Sequence, residues 1–108
     1  MWSSKKLCVS FYALASGAAV AAPLACPANV LDSGVRHVLN NAALYDGPPD
    51  RMVSLAPVPA GRVDRWDTKN IDPYLVCQYK DTVRTVTLHA KNVSMCTAGM
   101  KPFRAQCK

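Results

Sequence analysis

Tyr74-Leu75-Val76-Cys77-Gln78-Tyr79 is the stretch on which the fold turns. It is apolar and aromatic apart from Gln78, and reads as a strand. Lys80-Asp81-Thr82 then supplies a turn. Val83-Arg84-Thr85-Val86-Thr87-Leu88-His89 follows with partial period-two character: Val86 and Leu88 share a face, with Arg84 at its edge. Lys91-Asn92 is a second turn signal, and Val93-Ser94-Met95-Cys96 reads as a short third strand. The C-terminal third is therefore expected to form a three-stranded antiparallel meander.

Upstream the pattern is also extended. Asn29-Val30-Leu31 is a short candidate strand ended by Asp32-Ser33-Gly34. Val35, Val38, Leu39 and Ala42 fit a helical stripe, but Asn40-Asn41 interrupt it and Ala43-Leu44-Tyr45 look extended, so two strands are favoured. Asp46-Gly47-Pro48-Pro49 is a turn, with Asp46 as its turn-former. Pro49 suits the first position of a short helix through Met52, Val53 and Leu55. Ala56-Pro57-Val58-Pro59-Ala60-Gly61 forms a loop, and Val63-Asp64-Arg65-Trp66-Asp67 is another strand with Trp66 as a core anchor. With no glutamate and eight prolines, helix signals are poor. The expected class is a small β-rich α+β fold: an antiparallel sheet including the meander, one short helix and two disulfides.

The disulfides follow from the N-terminus. Lys5 and Lys6 precede an apolar run from Leu7 to Val20, with small residues at Ala19, Ala21 and Ala22. These are the three regions of a secretory signal peptide. The run is shorter than the ~20 residues a membrane span needs. Cleavage after Ala21 is preferred because cleavage after Ala22 would leave Pro23 first. The expected organisation is a signal peptide at 1–21 and a single disulfide-stapled domain at 22–108. That domain has no transmembrane segment, and its place is periplasmic or secreted. Cys8 leaves with the signal, so Cys26, Cys77, Cys96 and Cys107 remain. An even set in a short exported chain reads as two bridges. Leu24-Ala25-Cys26 is close to a lipoprotein box, but Pro23 stands where an aliphatic residue belongs, and acylation would strand another cysteine.

The order of features resembles a family of small exported proteins of Gram-negative bacteria, known only by a locus-tag label and with no established function. The features are Cys26-Pro27, Tyr45-Asp46-Gly47-Pro48-Pro49, Leu55-Ala56-Pro57, Trp66-Asp67, Cys77-Gln78-Tyr79 and a late cysteine, Cys96. His89-Ala90-Lys91-Asn92-Val93 departs from the leucine-proline step common before that cysteine, and Cys107 is an extra. The resemblance implies periplasmic residence, a small β-rich fold and no activity. It also favours a nested pairing, Cys77–Cys96 with Cys26–Cys107. Against that pairing, the outer strands of a flat meander lie ~9–10 Å apart, beyond disulfide reach. The alternative, Cys26–Cys77 with Cys96–Cys107, avoids the difficulty and closes a local loop through Gly99 and Pro102.

No reaction is named by the remaining residues. His37 and His89 lack metal-type partners, and the cysteine spacing matches no zinc site. His37 with Asp32 and Ser33 is a nucleophile set only if the fold gathers them. Asp64 and Asp67, three apart on a strand, face opposite sides. No metal, cofactor or catalytic residue is expected, and the chain is not read as an enzyme. Without Lys5 and Lys6 it retains eleven Lys and Arg against seven Asp. These cations are scattered singly, which excludes a nucleic-acid footprint and leaves a protein or acidic envelope component as partner. Trp66, Tyr74 and Tyr79 are the candidate interaction residues. The favoured function is a non-enzymatic periplasmic binding protein of the inhibitor or immunity type. A small envelope enzyme using Asp and His, or a structural or stress-related envelope protein, is the alternative.

Overall fold

A computed structural model describes residues 23–108, whose regular elements are strands and one isolated 3-10 turn. The signal-peptide reading of 1–21 lies outside these residues. Ten strands follow in chain order: β1 (Leu24–Ala25), β2 (Asn29–Asp32), β3 (Val35–Asp46), β4 (Ser54–Leu55), β5 (Val58–Ala60), β6 (Val63–Asp67), β7 (Pro73–Tyr79), β8 (Thr85–His89), β9 (Met95–Gly99) and β10 (Arg104–Cys107). They form two antiparallel sheets. The first has the order β1-β10-β9-β6-β5; the second has the order β2-β3-β7-β8, with β4 on β3.

The fold is all-β, which corrects the expected α+β class. The expected helix from Pro49 is a single 3-10 turn, Pro49–Arg51. Pro48 before it gives no side-chain cap, no residue of the turn is buried, and Met52 ends it at a left-handed φ of 60°. An uncapped nucleus with no apolar face cannot offset its ordering cost. The chain instead folds back on β3: the Asp46 N–H donates to the Val53 carbonyl at 2.9 Å, and Ser54 pairs with Tyr45.

The region from Val35 is one strand of 12 residues. Its register shifts between Leu39 and Asn41, so Asn40 is the extra residue of a β-bulge. Leu39 faces Tyr79 before the bulge, and Ala42 and Leu44 face Cys77 and Leu75 after it. The bulge moves the inward positions from odd to even numbers. That parity change is why the sequence showed neither a clean helical nor a clean strand period.

The meander is also corrected. β7 and β8 pair as expected, Tyr74 through Gln78 against His89 through Thr85. The segment after them leaves for the first sheet, where β9 lies between β6 and β10. Thr68 draws it across: its N–H donates to the Ser94 carbonyl at 3.1 Å and its hydroxyl to the Val93 carbonyl at 2.9 Å. At the far end of β9, Gly99 adopts φ +145°, and a Cβ there would stand 2.6 Å from the Arg62 carbonyl oxygen. The strand crosses so close to β6 that only glycine fits.

This crossing decides the disulfides. Cys96 and Cys107 are register partners on β9 and β10, joined with their Cα atoms 4.0 Å apart. Cys26, just past β1, is bridged to Cys77 in the middle of β7. The nested pairing is thereby overturned, because Cys96 stands in a different sheet from β7 and directly opposite Cys107. Leu39, Leu44, Leu75, Cys77 and Tyr79 of the second sheet share one buried cluster with Trp66, Cys96, Ala98, Ala105 and Cys107 of the first. Much of the first sheet's share is alanine and cystine, so the core is thin and the bridges matter for stability.

Closing a loop with a sequence separation of 51 removes more unfolded-state entropy than closing one of 11. Chain-entropy scaling gives about 4 kcal/mol for the first and about 3 kcal/mol for the second. Denaturant titration of Cys26→Ala/Cys77→Ala and Cys96→Ala/Cys107→Ala is expected to find the former less stable. A non-reducing peptide map is expected to recover the two bridges described and no Cys77–Cys96 linkage.

Candidate interaction surface

β7 is the spine of the second sheet. The Ala90 N–H donates to the Pro73 carbonyl at 2.9 Å, which makes Pro73–Ala90 a hydrogen-bonded pair. By antiparallel alternation Leu75–Leu88 and Cys77–Val86 are hydrogen-bonded too, while Tyr74–His89, Val76–Thr87 and Gln78–Thr85 are not. Side chains approach most closely in non-hydrogen-bonded pairs. Tyr74 and His89 accordingly stack with ring centroids 4.0 Å apart and planes 8° from parallel.

The same pair is fixed at its rim. The Nε2–H of His89 donates to Oδ1 of Asp72 at 2.6 Å, since a carboxylate only accepts. Oδ1 of Asp46 accepts the Asp72 N–H at 2.9 Å, and the Gly47 N–H donates to the Asp72 carbonyl at 2.7 Å. Asp46 thus shapes its turn by gripping a segment 26 positions away, where the sequence suggested a local bond to its own turn. Tyr45 pairs with Tyr74 on the other side. Tyr45, Tyr74 and His89 therefore run as a row across β3, β7 and β8 on the face turned away from the core.

The three aromatics singled out in the sequence are not gathered together. Trp66 is 5 % exposed, and its Nε1–H donates to the Leu55 carbonyl at 2.9 Å, tying the first sheet to β4. Tyr79 is 4 % exposed, and its hydroxyl donates to the Pro27 carbonyl at 2.8 Å. Both are core anchors that link the sheets or their connections. Tyr74 alone is on the outer face. The four cysteines are all bridged and close to fully buried.

The other polar candidates are engaged structurally. The His37 Nδ1–H donates to the Lys80 carbonyl at 2.8 Å, while the Asp32 carboxylate accepts from the Thr82 hydroxyl at 2.6 Å. Asp32 and His37 thus hold the β2–β3 hairpin to the β7–β8 turn. Oδ1 of Asp67 accepts the Lys69 N–H in a local turn. Among the described residues no group of three His, Cys, Asp or Glu is placed to hold a metal ion, and no helix is long and apolar enough to cross a membrane.

Beside His89, where the chain crosses between the sheets, lies an open recess of about 470 Å³ lined by Leu24, Lys91, Asn92, Val93 and Lys108. Its cationic character has a plain sequence signal. After Asp81 the chain contains no Asp or Glu, yet it carries Arg84, Lys91, Lys101, Arg104 and Lys108. The Tyr45–Tyr74–His89 row and its Asp72 partner had no such signal, because they meet only through register.

Burial raises the Tyr79 phenol above its ordinary value of 10.0. The folded state holds the neutral form, so this contribution is complete below about pH 10 and is lost as pH rises through the raised folded value. Tyr79→Phe is expected to cost about 1 kcal/mol at neutral pH through the lost bond to Pro27. It is also expected to flatten the alkaline fall in stability, as read by denaturant titration from pH 7 to 11. Trp66→Ala is expected to cost about 3–5 kcal/mol, as a core truncation.

The sequence model of one protein family, described as Type VI secretion system Tli immunity protein, matches residues 33–108. The matched stretch contains β3, β7 and β8, which carry the aromatic row, and all of the residues after Asp81, among which there is no Asp or Glu. No curated protein and no solved structure matches the chain.

Proposed function

Because this chain belongs to the Type VI secretion system Tli immunity protein family, it is a binding protein of the immunity type, and we propose that its partner is an effector toxin delivered by such a system. The chain meets this toxin in the periplasm and blocks it by occupying its surface, with no reaction of its own. The family match over 33–108 carries this reading. Two disulfides support an oxidising compartment. The signal-like N-terminus supports the same place: residues 1–21 are removed on export and 22–108 remain as one domain. An excess of cations over carboxylates favours an acidic toxin surface and fast association at low salt.

The contact surface is the outer face of β3, β7 and β8, centred on Tyr74 and His89. Tyrosine combines a large rigid area with a polar tip and is enriched among residues that dominate binding energy. Asp72 holds His89 in place, and His89 supports the Tyr74 ring, so little freedom is lost on binding. Both side chains point away from the core, so their truncation separates binding from folding.

Tyr74→Ala and His89→Ala are each expected to weaken binding of the purified toxin at least tenfold by calorimetry, and to lower protection of toxin-exposed cells. Their melting temperatures are expected to stay within a few degrees of the parent. Full protection by the Tyr74→Ala/His89→Ala double variant would sink the assignment of this face. Intact mass of the periplasmic protein is expected to correspond to a chain beginning at Ala22; a mass that includes residues 1–21 would overturn the export reading.

A further inference from the structure

We infer that β8 is a docking edge: its open side accepts an extended, acid-flanked segment of the partner protein as an additional β-strand. The inference rests on the immunity reading and goes beyond it by naming the element and the mode of contact. Among the described residues no strand lies beyond β8 in the second sheet. The alternation fixed by the Ala90–Pro73 bond turns the backbone groups of Val86, Leu88 and Ala90 toward β7. Those of Thr85 and Thr87, and the His89 N–H, therefore point away from the sheet along its rim.

The edges at β5, β1 and β2 are guarded in familiar ways and this one is not. β5 carries Pro59, β1 has two residues with Pro23 before it and Cys26-Pro27 after it, and β2 is a four-residue strand that ends in Asp32. Proline, shortness and charge are the usual protections against unwanted pairing. β8 is Thr85-Val86-Thr87-Leu88-His89, five residues with no proline and no Asp, Glu, Lys or Arg. Val86 and Leu88 are half-buried against the core. An added strand gains main-chain bonds from Thr85 and Thr87 and apolar contact at alternate positions from Val86 and Leu88.

Charge selects the occupant. Exposed Arg84 and Lys91 bracket β8 at its two ends, and Lys108 lines the recess beyond Lys91. Asp72, which touches β8, is taken up by His89. A second copy paired antiparallel through β8 would bring Arg84 of each chain toward Lys91 of the other, placing like charges together at both ends. A partner segment with carboxylates at its ends meets both cations favourably.

The outward direction of the Thr87 N–H gives a clean test. Thr87→Pro removes a rim donor and no ladder bond, whereas Thr87→Val keeps the donor. The probe is the purified toxin against which the full-length chain protects. Thr87→Pro is expected to lose at least 30-fold in affinity, Thr87→Val less than threefold, and Arg84→Glu/Lys91→Glu at least tenfold. Amide hydrogen exchange on the parent protein is expected to show new protection at Thr85 and Thr87 on toxin binding, a readout independent of how well the proline variant folds. Parent-like affinity of folded Thr87→Pro, or unchanged exchange at both amides in the complex, would overturn the docking edge and leave the immunity reading standing. Absence of toxin binding by the parent would overturn both. A concentration-dependent dimer that Thr87→Pro abolishes would assign the edge to a second copy and overturn the proposal.

Discussion

Cys26–Cys77 ties the margin of one sheet to the middle strand of the other, and the rest of the molecule is arranged around that tether. Cys26 is itself held to the first sheet, where its N–H donates to the Ala105 carbonyl at 2.9 Å. Immediately after it, the Pro27 carbonyl accepts the Tyr79 hydroxyl. One short segment thus joins β10 of the first sheet to two positions on β7 of the second. At the opposite side Trp66 reaches from β6 to the Leu55 carbonyl on β4. The sheets are clamped at two places, and beside the anchors Trp66 and Tyr79 the first sheet contributes mostly alanine and cystine to the core.

That economy shapes the surface. A thin core needs few apolar residues, so the outer faces and edges are free to carry polar, aromatic and cationic groups. The Tyr74–His89 stack is a by-product of the ladder: it falls on a non-hydrogen-bonded pair, where side chains come closest. The Asp46–Asp72–His89 chain of contacts then connects two turns to that stack. The β8 rim lies next to it, flanked by cations. Face and edge form one continuous region built from β7, β8 and the turns beside them, all within the stretch that matches the immunity family.

The fate of individual residues shows where physical information resides. Trp66 and Tyr79 were credible contact residues in the sequence because aromatics suit both cores and interfaces. Composition cannot separate the two uses; only the position of each side chain relative to the second sheet does. His89 had no metal-type partner in the sequence, and register brings it against Tyr74. The Asn40-Asn41 interruption was visible, but whether it ended a strand or bulged one depended on the pairing with β7. The Pro49 helix failed because a favourable first residue is a local preference, and the bonds from β3 to Val53 and Ser54 outweighed it.

The sequence by itself determined the predominance of strands, the β7–β8 pairing and the basic, disulfide-stapled character of the chain, because these rest on composition and on contacts between near neighbours. Tertiary structure alone decided which cysteines meet, which aromatics are buried and which edge stays open. All three depend on β9 crossing to the first sheet, and that crossing is set by bonds from Thr68 and by pairing with β6 and β10. Such contacts join residues far apart in the chain, and no local pattern encodes them.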